Sequence, residues 1–249
     1  MKKSLKTVMS CLLTAAVALS VTAHADAKNY YSTKYEVQHS RQDSIVKRRN
    51  KNLASVDLDD TNNTGTVNKD FDGDKKKETV KLSRKFSSDY KKADISVYIK
   101  GKKQVKLNIG EKESASNVEF STVKLDSTVL AVLLYGDNDY AGGGLVVYTW
   151  SKNDSIKKIM SYKAKGYLSS MVSSEKSGGK KQFYIVDSEQ LVNHFGSKWP
   201  ADVLKKYKKW ENDENVSVTR TSFIKYTLKN NKLNKAGKDA YYHVSRCYD

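Results

Sequence analysis

The 249-residue chain has one proline, Pro200, and two cysteines, Cys11 and Cys247. So little proline excludes a proline-rich linker or a wall-spanning stalk. The histidines are as sparse: beyond His24 in the N-terminal segment they are His39, His194 and His243. They are widely separated and lack the H-E-x-x-H spacing, so zinc hydrolysis has no basis here. A nucleophile elbow of the form G-x-S-x-G is missing, and so is a glycine loop shaped to cradle phosphate. His243 and Cys247 could suggest a nucleophilic pair, but on a strand that spacing parts them by about 13 Å. The chain end is a poor support for such a site. After the first two dozen residues there is no long apolar run.

The N-terminus reads as a secretory signal peptide over residues 1–25: Lys2, Lys3 and Lys6, an apolar stretch from Val8 to Val21, then small-x-small patterns at Ala23–Ala25 and Ala25–Ala27. A membrane-spanning helix needs about 20 apolar residues, and this run is shorter. Cys11 precedes most of the apolar core, which argues against lipidation. Cleavage after Ala25 would leave 42 basic against 28 acidic residues, a net charge of +14. Cys247 would then be the single cysteine, excluding an internal disulfide and leaving a thiol for an intermolecular one. The fold would rest on its core and on any bound metal. The basic excess favours anionic cell-wall or host polymers as partners. Because the lysines are scattered rather than clustered, it argues against nucleic acid.

Residues 26–68 read as a polar N-terminal arm, with pairing near Leu53 to Leu58 and a basic run at Lys47–Lys51. Asp57, Asp59 and Asp60 imitate a cation loop, but no later carboxylate completes it. Residues 69–249 read as a single β-rich domain. Glu78–Ser83 alternates as a half-buried strand does. Ile95–Ile99 and Val105–Ile109 flank Lys100-Gly101-Lys102-Lys103 as a hairpin. Val118–Leu125 and Val129–Tyr135 form the next pair, and the nearly continuous apolar run from Thr128 to Tyr135 predicts a central strand covered on both faces. Leu145–Trp150 with Ile156–Tyr162, and Phe223–Leu228 with Leu233, share a Tyr-Thr-apolar-polar turn order. Tyr167–Val172 and Gln182–Val186 add strands, and Tyr241–Asp249 a closing one. Pro200, at a first-turn position, starts one short helix near 200–210, with Val203, Leu204 and Tyr207 on one face. The expected fold is mainly β, with about nine to eleven strands in antiparallel meander hairpins, propeller-blade-like or sandwich. Two or three hairpin units fall short of the four blades or so that close a propeller.

The stretch that carries definite chemistry is Asp70-Phe71-Asp72-Gly73-Asp74-Lys75-Lys76-Lys77-Glu78. Calcium takes six to eight oxygen ligands, so a short loop must aim several carboxylates at one point. Asp70, Asp72, Asp74 and Glu78 stand at loop positions one, three, five and nine, and the Lys76 carbonyl is placed at seven. An EF-hand needs glycine at six and glutamate at twelve, where this chain has Lys75 and Lys81. The run D-F-D-G-D-K-K-K-E-T-V instead resembles the calcium loop of FG-GAP/VCBS-type repeats, over about a dozen residues. The resemblance implies a structural calcium at the entry to a strand. This chain departs from the family in having Lys75 at the second glycine, which strains the turn, and three lysines beside the ion, which weaken binding.

A second loop, Gly136-Asp137-Asn138-Asp139-Tyr140-Ala141-Gly142-Gly143-Gly144, combines acids with three glycines that permit close backbone approach. The expectation is a secreted, calcium-stabilised binding or scaffolding domain at the cell exterior. The alternatives are an extracellular hydrolase using Asp137 and Asp139, or a structural domain without metal.

Overall fold

A computed structural model of the chain describes residues 30–32, 49–111, 113–137, 140–174, 179–193, 196–197, 199–213 and 215–246. The expected signal peptide, both cysteines, His39, His194, Asp139 and much of the arm lie outside the described residues. No helix among those described is long and apolar enough to cross a membrane.

The fold is mainly β, built from antiparallel pairings with one short helix. It divides into two compact units. The larger comprises Arg48–Ser188 and Ser222–Asp239. The smaller contains, among the described residues, Tyr30–Ser32, Glu189–Thr221 and residues 240–246.

In the larger unit, β2 (Ala54–Leu58) pairs with β7 (Asn117–Leu125), which continues through β8 (Thr128–Gly136), β9 (Gly144–Trp150) and β10 (Ile156–Lys163) as a five-stranded meander. A second meander runs β3 (Thr64–Lys69), β4 (Glu78–Phe86), β5 (Ala93–Ile99), β6 (Lys102–Ile109). In β4, Glu78, Val80, Leu82 and Arg84 are buried and the residues between them are not, the two-residue period of a half-buried strand. The β5–β6 turn is tighter than the sequence suggested: Lys100 and Gly101 alone form it, at φ +49° and +77°, which matches strand twist in a two-residue hairpin. The remaining strands of this unit are β11 (Tyr167–Ser173), the first part of β12 (Gln182–Asn193), and portions of β14 (Val216–Lys229) and β15 (Lys232–Arg246). β12, β14 and β15 each contribute a segment to both units.

Two apolar layers organise the larger unit. Val80, Leu82, Ile95 and Val97 of the four-stranded sheet pack with Val56, Phe120 and Trp150 of the five-stranded sheet. On the other face, Leu130, Val132 and Leu134 join Leu168, Phe183, Ile185 and Ile224. β8 feeds both: Val129, Ala131, Leu133 and Tyr135 enter the first layer, and the residues between them the second. Each large apolar side chain buried this way contributes about 1.5–3 kcal/mol. The expectation of a central strand covered on both faces holds.

Leu53–Leu58 pairs, as expected, but β3 is also cut from residues assigned to the arm. In β2, Ala54, Val56 and Leu58 alternate inward, and β3 pairs with β4 over Thr64–Lys69. The loop between β2 and β3 is pinned by Arg84, which is 4% exposed. Its Nε donates to Asn63 Oδ1 at 3.2 Å, Nη2 to the Asp59 and Asn62 carbonyls at 2.7 and 2.9 Å, and Nη1 to the Ala115 carbonyl at 2.8 Å and to that of Ser116. Burial lowers the Arg84 pKa while Asp59 and Asp60 oppose the shift. Asp59 itself accepts hydrogen bonds from Thr61 and Asn62.

In the smaller unit β1 (Tyr30–Ser32) pairs with the end of β15, and β13 (Gly196–Ser197) with the end of β12. The helix, α1 (Ala201–Tyr207), runs into a 3-10 turn at Lys208–Trp210. Pro200 is its N-cap, with ψ 132°, one residue earlier than the sequence suggested, because extended ψ keeps it out of the first turn. Val203 and Trp210 pack with Val216, Val218 and Val244.

Candidate metal centre

The acidic loop is the connection between β3 and β4, closed by the pairing of Lys69 with Glu78. Its anchor is Phe71, fully buried, stacked on Trp150 with ring centroids 6.1 Å apart and tilted against Phe120 at 6.4 Å. Burying Phe71 holds the flanking Asp70 and Asp72 at the rim of the core. The chain then curls around its own carboxylates. Gly73 N and Lys75 N donate to the two oxygens of Asp70 at 2.6 and 2.9 Å, Asp74 N to Asp72 at 3.0 Å, and Lys76 N to Asp74 at 2.7 Å. Gly73 and Lys75 both have positive φ, +79° and +73°. Lys75 therefore adopts a left-handed conformation that costs a side-chain-bearing residue about 1–2 kcal/mol, at the position where the resembling family has glycine.

Asp70, Asp72 and Glu78 each offer an oxygen within 4.8 Å of the other two. Oxygens bonded to one calcium at 2.3–2.6 Å can lie up to about 5.2 Å apart, so these three fit a single ion. They are hard oxygen donors, as calcium requires, and six- to eight-fold coordination would be completed by carbonyls or water. Asp74 lies outside this trio. It is exposed, and its carboxylate receives the Lys76 amide; Lys76 is exposed as well. Of the five residues expected at the metal, the fold gathers three by their side chains.

The electrostatics are those of a crowded acidic site. Burial pushes the Glu78 carboxyl up, opposed by the Phe71 amide at 2.9 Å, while the charges of Asp72 and Asp154 add to the rise and Lys100 counters it. Burial also raises Asp72, with further push from Asp74, Asp70 and Asp154. Both shifts penalise the ionised loop, and a divalent cation would relieve that penalty.

Lys100 and Asp154 stand beside the loop, a neighbourhood the sequence does not reveal. Lys100 Nζ lies 2.6 Å from Asp154 Oδ2 and 4.0 Å from Glu78 Oε1. Both residues occupy hairpin turns and show positive φ. Their acid and base character was visible, but only folding brings three different hairpins together.

The described residues of the Gly136–Gly144 loop, 136–137 and 140–144, pack closely at the end of the β8–β9 hairpin. A Cβ on Gly143 would stand 1.9 Å from the Tyr135 carbonyl oxygen, so glycine is needed for backbone approach. Asp137 accepts the Tyr140 amide on its carbonyl at 2.7 Å and donates to the Ala141 carbonyl at 2.8 Å. It lines a cleft of about 600 Å³ together with Glu111, Glu113, Phe86 and Tyr90. Two of those carboxylates face lysines: Glu111 is 3.7 Å from Lys92, and Glu113 3.0 Å from Lys163. None of the acidic-loop carboxylates lines this cleft.

No protein-family model, curated protein or solved structure matches the chain.

Proposed function

We propose that the chain is a secreted, calcium-braced binding or scaffolding domain that works at the cell exterior against anionic polymers. The observation that carries this reading is the convergence of Asp70, Asp72 and buried Glu78 within the span of one ion, on a loop plugged into the core by Phe71. Calcium would fix the entry into β4 and act as a brace. Secretion is supported by the N-terminal layout, and the polymer partner by the net basic charge.

The test is calorimetric titration of residues 26–249 with calcium, with thermal melts in calcium and in chelator. At ten times Kd, bound calcium should add about 1.4 kcal/mol, which for a chain of this size raises the melting midpoint by about 3–6 °C. No binding heat and an unchanged midpoint at millimolar calcium would refute the site. Retention on an immobilised sulfated polysaccharide should fall steeply between low and high salt; salt-insensitive retention would remove the charge-driven partner.

A further inference from the structure

Glu78 poses a problem of charge. It is 1% exposed, and a carboxylate taken from water needs a compensating charge as well as a hydrogen bond. Oε2 has its hydrogen bond from the Phe71 amide. Oε1 faces the ammonium of Lys100 at 4.0 Å. That lysine is held in place by its backbone, since Lys100 N donates to the Thr79 carbonyl at 2.8 Å, beside Glu78 in the chain. Its ammonium is shared with a second carboxylate, Asp154, at 2.6 Å. A cation carried by the protein therefore already sits between a buried loop carboxylate and an acceptor outside the loop.

We infer that Lys100 is a tethered competitor for the divalent cation: it neutralises Glu78 when the loop holds no ion, and turns wholly to Asp154 when one binds. The pair Lys100 and Asp154 thereby sets the calcium affinity of the loop. The inference rests on the reading of Asp70, Asp72 and Glu78 as calcium ligands.

The magnitude follows from distance. A calcium bonded to Oε1 lies about 2.4 Å from that oxygen, and so no more than about 6.4 Å from the ammonium in its present place. Repulsion between a divalent and a monovalent cation at that range, at the dielectric of water, costs about a factor of ten in affinity. Asp154 offsets part of this by drawing the ammonium away. Removing the lysine and removing the aspartate should thus act in opposite directions, which a merely structural role would not produce.

The experiment is calcium calorimetry on wild type, Lys100→Met, Lys100→Arg and Asp154→Asn, with melts in chelator and in saturating calcium. Lys100→Met should bind calcium about tenfold more tightly, Asp154→Asn should bind less tightly than wild type, and Lys100→Arg should stay near wild type. In chelator Lys100→Met should melt below wild type, and saturating calcium should erase that difference. If Asp154→Asn does not fold, the contrast between methionine and arginine at position 100 still decides. Calcium binding by wild type with Lys100→Met within twofold of it would overturn the role of Lys100 and leave the calcium reading standing. Absence of binding by wild type would overturn both.

Discussion

Replacing Phe71 by alanine removes the apolar side chain that anchors the acidic loop in the interior. The ring is fully buried and lies against Trp150 at 6.1 Å, nearly parallel at 9°, and Phe120 at 6.4 Å. Truncating a buried phenylalanine costs about 3–5 kcal/mol through lost transfer energy and the cavity left behind. The upper half of that range applies here, because the two flanking aromatic rings lose a partner and belong to β7 and β9, whose positions are set by strand pairing. Urea unfolding followed by tryptophan fluorescence is the suitable assay, since Trp150 reports on this layer. Phe71→Leu, which keeps most of the volume, should lose less than half as much. Tyr90→Ala, at a residue 78% exposed, should stay within about 0.5 kcal/mol of wild type. Calcium affinity should fall with Phe71→Ala, because Asp70 and Asp72 flank the anchor. A loss under about 1 kcal/mol would refute the placement of Phe71 in the core and, with it, the account of how the loop is held.

Three further outcomes are expected. In chelator, the contribution of Glu78 and Asp72 to stability should shrink as pH rises above about 4, because both have raised folded-state pKa values: such groups stabilise the fold below the unfolded value and cease to do so as they ionise. Glu78→Gln should flatten that slope, and identical urea midpoints against pH for both chains would contradict it. Lys75→Gly relieves the left-handed strain at φ +73° and should stabilise the fold by a net amount of about 0.5–1 kcal/mol, raising the melting midpoint by about 1–4 °C, with tighter calcium binding as one positive charge leaves; a lower midpoint and weaker binding would refute it. Arg84→Met strands carbonyls that the guanidinium now satisfies and should cost about 1–3 kcal/mol for each one left dry in urea unfolding, whereas a total loss under about 1 kcal/mol would show that water replaces the guanidinium.

The hairpins were legible because their apolar residues recur every second position and their turns carry Lys100-Gly101, Asp126-Ser127 or Asn230-Asn231. Strand lengths were less so. β12 extends past the expected end at Val186 to Asn193; Asp187, the next residue, is buried with donors in place: Tyr162 Oη at 2.6 Å, Lys165 N at 3.0 Å and Gly166 N at 3.0 Å. The acidic loop could be read because Asp70, Asp72 and Glu78 are local in sequence. Arg84 could not, being one basic residue in a strand that also carries Lys81 and Lys85, with acceptors contributed by residues 59–63 and 115–116.

β8 gives its neighbours no polar face to avoid. A strand with one wet side is held in register by the cost of turning apolar residues into water, but here a shift by one position would exchange Leu133 with Leu134 and keep both covered. Register must then come from size and from the ends: Asp126 at one turn, and at the other Gly143, whose missing side chain admits the Tyr135 carbonyl. A residue inserted within β8 would therefore trade the contents of two interiors while leaving the apolar surface almost unchanged, and would surface as misassembly more than as aggregation.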